Sequence, residues 1–202
     1  MVKAEAYYPF SVYLQDYSQK DPKCKARYIL DNFSRFPKMI EGYESDWKIT
    51  VKAEKRYNFL KEMGDPGIRV QASKISNPTM NQAISKYEED TATTTKDIRS
   101  LVHGTDDPGR RIMEKMVIAD MRDDYEIILN AIHRLDSSDE NLFLPYIRTE
   151  KTIQEVADEL QVQYSSAKNK MRRLKNMVLF TATENIRHKN EIIKRRYGDG
   201  KK

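Results

Sequence analysis

Ser165, Lys168, Asn169 and Arg172, with Tyr164 just ahead, recur at a spacing that puts hydrogen-bonding groups on successive turns of one helical face. Asparagine pairs bidentately with adenine, arginine and lysine pair with guanine, and hydroxyls pair with either a base or a phosphate. The chemistry this set suits is the reading of base edges in a major groove. Tyr164, Ser165, Lys168, Asn169 and Arg172 are therefore the base-edge candidates. Lys170, Arg173 and Lys175 point more to the sides and suit phosphates, which position a protein without specifying sequence. Thr152 and Ser166 join them as phosphate candidates.

Such side chains work only if a second helix braces the first across the backbone. Thr152 is placed to cap a short helix reaching Leu160, with Ile153, Val156, Ala157 and Leu160 at positions i, i+3, i+4 and i+7 on its inner side. Gln161-Val162-Gln163 supplies a three-residue turn whose valine can plug the hairpin. Tyr164 then opens a longer helix with Ala167, Met171, Leu174 and Val178 inward. This is helix-turn-helix spacing. Ala157 and Ala167 stand where the two helices come closest, and large side chains there would push the reading helix off its brace. Ahead of the pair, Ser137 or Ser138 can cap a helix from Asp139 to about Arg148, with Leu142, Phe143, Tyr146 and Ile147 apolar.

Upstream, the aromatic run Tyr7, Tyr8, Phe10, Tyr13 and Tyr17 reads as core in a short helix or cap. Asp21-Pro22 begins a helix with Ala26, Ile29, Leu30, Phe33, Phe36 and Ile40 inward, which Pro37 kinks or ends. A separate amphipathic stretch, Val51 to Met63, stops at Gly64-Asp65-Pro66-Gly67. Ile68 to Asn77 reads as extended or loop, and Asn77-Pro78 starts a helix reaching about His103. Gly104 to Gly109 is a second break. A long helix follows to Leu135, with Ile112, Met116, Met121, Tyr125, Ile128, Leu129 and Ile132 as its stripe. Glu88-Glu89-Asp90, Asp106-Asp107 and Arg122-Asp123-Asp124 read as solvated faces.

At 202 residues with 39% hydrophobic content, two modest helical bodies are expected rather than one large core. Net charge is only +5, but it is unevenly spread. From Gln161 onward twelve basic residues stand against Glu184, Glu191 and Asp199, a net +9, which leaves −4 on the preceding 160 residues. Lys189 to Lys202 reads as a basic tail that adds affinity without specificity. Cys24 is the single cysteine, so no intrachain disulfide and no cysteine-built zinc site can form, in keeping with a reducing compartment. His103, His133 and His188 lack metal-ligand spacing, and no phosphate-cradling loop or hydrolase elbow is present. Neither an enzyme nor a cofactor or metal site is expected. No apolar run is long enough for a bilayer, and a cytoplasmic location follows.

The run Leu135-Asp-Ser-Ser-Asp-Glu-Asn-Leu-Phe-Leu-Pro-Tyr-Ile, followed by Thr152-Ile-Gln-Glu-Val-Ala-Asp-Glu-Leu-Gln-Val-Gln-Tyr-Ser-Ser-Ala-Lys-Asn-Lys-Met-Arg-Arg-Leu, resembles region 4 of sigma-70-type factors. Gln161 stands where that region usually has glycine, which asks glutamine to take a left-handed conformation. Ala167 stands where valine is common. Nothing resembles a promoter-melting segment, so a complete sigma factor is excluded. Val70-Gln-Ala-Ser-Lys-Ile-Ser-Asn-Pro-Thr-Met-Asn-Gln-Ala-Ile, a polar helix and the sigma-like ending together resemble phage late transcription activators of the RinA, ArpU and LtrC type. The likeness covers roughly Arg69 to Ile186 and is looser upstream.

The residue patterns together with the resemblance predict an all-α protein: a helical N-terminal region (1–66), a connecting segment with one helix (67–109), a sigma-region-4-like DNA-binding bundle (110–188) and the basic tail (189–202). Its implied role is sequence-specific activation of packaging, structural and lysis genes in a bacterial host, phage- or prophage-encoded. The implied partners are double-stranded promoter DNA and host RNA polymerase, with the N-terminal half left to dimerise or meet a regulatory protein. Two competing readings remain open at this level: a small-terminase-like subunit that recognises DNA for packaging, and a helical adaptor whose hairpin binds protein.

Overall fold

The computed structural model describes residues 10–62 and 95–198. Among the described residues all regular structure is helical: α1 (Phe10–Gln19), α2 (Pro22–Asp31), α3 (Phe36–Glu62), α4 (Thr95–Val102), α5 (Pro108–His133), α6 (Ser137–Ile147), α7 (Ile153–Glu159) and α8 (Tyr164–Gly198). The chain is all-α. The turn at 64–67, the extended reading of 68–77, the helix start at Asn77-Pro78 and the Ser-Asn-Pro-Thr stretch lie outside the described residues, as do Tyr7, Tyr8 and Glu88-Glu89-Asp90. No described helix is long and apolar enough to cross a membrane.

Local chemistry sets the helix ends. The Asp21 carboxylate accepts from the N–H groups of Lys23 and Cys24, and Pro22 fills the first position, where its missing donor is no loss. The helix it starts ends at Asp31, and the turn at 32–35 separates it from α3. Pro37 neither kinks nor ends that helix. It sits in the first turn of α3, a position proline tolerates for the same reason as Pro22. The stretch from Val51 is the second half of this one 27-residue helix rather than a helix of its own.

Contacts divide the chain into two units, one made of residues up to Tyr43 together with those from Val117 onward, the other of Glu44–Met116. The break at Gly104–Gly109 lies within the second of these units, and α5 begins at Pro108 and continues without interruption to His133. Gly104 is needed in that break for its backbone, which has φ +83°.

Within Glu44–Met116, Trp47 is 1% exposed and its indole N–H donates to the carbonyl of Arg111 at 2.8 Å. Arg111 is itself buried and pairs with Glu54 and, at 2.7 Å, with Glu114. The hydrogen bonds it donates to Glu54 hold the guanidinium in its charged form, well above the ordinary arginine range.

The other unit is built around α8. Leu14 and Tyr17 of α1, Ala26, Ile29 and Leu30 of α2, and Ile118, Met121, Ile128 and Ile132 of α5 are buried, with Phe33 and Tyr125 stacked at 5.1 Å. Helix α2 packs on α8, as do α6 and α7. The buried stripe of α5 differs from the one expected. Met116 is 45% exposed, whereas Asp124 is fully buried in the phase of Met121 and Ile128, so it does not belong to a solvated face. What makes that burial tolerable is a complete set of partners: Tyr17 donates its hydroxyl at 2.8 Å and Lys189 its ammonium at 2.6 Å, with Lys25 at 3.6 Å. Asp120 beside it accepts from Lys25 at 2.8 Å and from Lys189 at 2.5 Å.

Candidate nucleic-acid interface

The bracing helix α7 is only seven residues long, too short to hold without its ends. Its N-terminus carries a complete capping box: the Glu155 N–H donates to the Thr152 hydroxyl at 3.3 Å, while the Glu155 carboxylate accepts from the Thr152 N–H at 2.6 Å. The Thr152 hydroxyl also donates to that carboxylate at 2.9 Å, so this phosphate candidate is already engaged. These bonds to Thr152 hold the Glu155 carboxyl below its ordinary value.

Its other end is a Schellman turn. The N–H of Gln161 donates to the carbonyl of Asp158 at 3.2 Å, and that of Val162 to Ala157 at 3.0 Å. Gln161 takes φ 52°, the left-handed conformation expected of it. Val162 is 42% exposed and does not plug the hairpin. Helices α7 and α8 pack together, and Val156, Ala157, Ala167 and Met171 are all buried. Helix α6 ends in the same way, with Thr149 at φ 62°, its N–H on Tyr146 and that of Glu150 on Pro145. Its N-cap position falls on Asp136, which makes no side-chain cap, so Ser137 and Ser138 lie inside the first turn rather than capping it.

Ala167, Met171, Leu174 and Val178 are each no more than 1% exposed, and they fix which way α8 faces. At roughly 100° per residue, Ser165, Asn169 and Arg172 then fall in a strip opposite the buried side. All three are exposed. Asn176 lies in the same strip and is exposed as well, although sequence reading passed over it; the signal was present as the next step of the i, i+3, i+4 series 165, 169, 172. Met177 and Phe180 lie beside Asn169, Arg172, Arg173 and Asn176 on the exposed surface of α8. Lys168 and Tyr164 lie to one side of the strip and Ser166 and Arg173 to the other, all exposed.

The cations separate by their surroundings. Among the described residues Lys168, Arg172 and Arg173 have no carboxylate partner. Lys170 is paired with Asp139 of α6 at 2.8 Å and Lys175 with Asp31 of α2 at 2.7 Å. Lys189, expected to open a tail, is instead inside α8 and inside the buried charge cluster, and the helix runs on to Gly198. Burial lowers its ammonium pKa, but the charge of Asp124 and the bonds to Asp120 and Asp124 outweigh this and raise it. Burial likewise pushes Asp120 up, yet bonds from Lys189 and Lys25 hold it below the usual carboxylate range. Asp124 goes up, through burial and the charge of Asp120.

No protein-family model, curated protein or solved structure matches this chain.

Away from this face, Cys24 is exposed and its thiol is held above the ordinary value by its bond to Asp21, the opposite of what activates a nucleophile. Among the described residues no group of histidine, cysteine and carboxylate side chains is arranged to hold a metal.

Proposed function

We propose that the protein is a sequence-specific double-stranded DNA-binding transcription activator that reads a major groove with the N-terminal half of α8. Supporting this reading is one observation above the others: Ser165, Asn169, Arg172 and Asn176 form an exposed polar strip on a helix whose opposite side is locked against a capped brace. Lys168 and Arg173 flank the strip without carboxylate partners, where groove walls present phosphates. A helix held this way meets bases with its donors already oriented, which lowers the entropy lost on binding. The late-gene promoter and the contact with host RNA polymerase are carried by the sequence resemblance alone.

Binding should weaken with salt at a slope near −0.9 per phosphate neutralised, with about five to eight phosphates engaged. Selection of duplexes from a random pool by the full chain, followed by salt titration on the selected site and on a random duplex, tests this. A flat salt dependence removes DNA reading. Genome-wide binding in the host then separates promoters from packaging sites, since an activator gathers upstream of packaging and structural genes.

A further inference from the structure

Resting on the DNA-reading proposal, we infer that Asp31 and Asp139 restrain the phosphate grip of the reading helix. They tie down the outermost cation on each flank, which would otherwise add to the grip on any duplex.

The geometry is symmetric about the reading strip. With the buried side of α8 set by Ala167, Met171, Leu174 and Val178, Lys170 and Lys175 lie roughly 110° to either side of the outward direction at about 100° per residue. They are the outermost cations of the two flanks, beyond Lys168 and Arg173, where groove walls would bring phosphates. Each is met by a carboxylate from a different element, Asp139 of α6 at 2.8 Å and Asp31 of α2 at 2.7 Å. Arg172 in the strip and Lys168 and Arg173 beside it have no such partner among the described residues. The division follows distance from the strip: the cations within about 90° of the outward direction have no carboxylate partner, and the two furthest round are neutralised.

Asp31 gives the stronger half of the case. It is the last residue of α2, where a negative charge faces the negative end of the helix dipole and works against the helix. Its placement is explained by Lys175 and not by α2. Asp139 lies in the first turn of α6, where a carboxylate also suits the helix dipole, so its pairing with Lys170 is a second role. Both pairs are partly exposed, so neither is a strong structural tie. Their effect is felt by an approaching polyanion: each neutralised lysine removes one counterion-release contribution, and each carboxylate repels the nearby phosphate. Affinity for unspecific DNA falls, while the base contacts of Asn169 and Arg172 are untouched. The ratio of specific to unspecific binding rises.

The test uses the full chain, wild type and Asp31→Asn, Asp139→Asn, Lys175→Gln and Asp31→Asn/Lys175→Gln, titrated on a random-sequence duplex across salt. Each Asp→Asn variant is expected to tighten binding to the random duplex about fivefold at ~0.15 M salt and to steepen the log–log slope by about 0.9, the worth of one more phosphate. Lys175→Gln alone should stay within about twofold of wild type, and in the double variant it should cancel the gain of Asp31→Asn. Asp→Asn variants that keep their thermal transition and bind random DNA no better than wild type overturn the inference, as does a gain that survives in the double variant. A wild-type chain with flat salt dependence instead removes the DNA-reading proposal itself.

Discussion

The two ends of α8 both carry basic residues and use them in opposite ways. From Lys168 to Arg173 the central cations are exposed and without carboxylate partners among the described residues, whereas Lys189, five turns on, is enclosed by Asp120 and Asp124 and capped off by Tyr17 and Lys25. One end keeps charge available at the cost of local repulsion. The other consumes it to hold α1, α2, α5 and α8 together. The proposed reading of DNA would require the N-terminal face of α8 to be held at a fixed angle, and a directional ion cluster further along the helix would supply such a hold.

The largest effects should come from the enclosed end. Removing one member of a buried ion cluster leaves its partners charged and unpaired, so Asp124→Ala or Lys189→Ala should destabilise by about 3–5 kcal/mol in urea unfolding. Arg172→Ala should change stability by no more than about 0.5 kcal/mol. Equal costs at 172 and 189 would break the contrast. The cluster also sets an alkaline limit. Lys189 is held above its ordinary 10.5, and burial next to Asp124 holds the Tyr17 phenol above its ordinary 10.0. Both folded values are raised, so their contributions are complete below about pH 10 and are lost as pH climbs through the folded values. Stability measured from pH 8 upward should therefore fall beyond about pH 10, and Tyr17→Phe should make that fall shallower.

Next come the exposed residues, read by DNA affinity rather than by stability. Asn169→Ala or Arg172→Ala should cost about 1–3 kcal/mol on the selected duplex and flatten preference at one base position. Asn176→Ala should behave like them if the strip extends that far. A loss of the same size on random DNA would move the residue from base reading to phosphate contact. Thr152→Ala acts one step back: it breaks the capping box, and a loss of about 1 kcal/mol in stability is expected.

The hairpin was legible in sequence because its determinants are local. Thr152 with Glu155, the small pair Ala157 and Ala167, and the series Ala167, Met171, Leu174 and Val178 each declare their role within a few residues. The charge cluster was not legible for the converse reason. Lys25, Asp120, Asp124 and Lys189 are up to 164 positions apart, and each by itself looks like a surface residue. The one available sign was phase: Asp124 lies three after Met121 and four before Ile128, in the core stripe of α5. Apolar residues alone do not mark Asp124 as part of that stripe, so a buried carboxylate within it reads as solvent-facing. The same local bias split α3 at Val51 and made a tail of Lys189, because neither a change of helix face nor a distant partner marks the chain nearby.

Thr149 and Gln161 offer the finest test of how the reading helix is held. Both are non-glycine residues in left-handed backbone, both close Schellman turns, and together they bracket the bracing helix. The conformation costs a side chain about 1–2 kcal/mol, and glycine gives back roughly 0.5–1 kcal/mol of that gain through its greater freedom when unfolded. Thr149→Gly and Gln161→Gly should each stabilise by about 0.5–1 kcal/mol, Thr149→Gly the more because its branched Cβ crowds the backbone. Gln161 is exposed in the turn just ahead of the reading helix, so its variant also separates two explanations for keeping glutamine there. A more stable chain with unchanged DNA affinity makes the strain incidental. A more stable chain that binds its selected duplex less well makes the Gln161 amide part of the interface, extending the free, outward-facing end of the comparison by one turn.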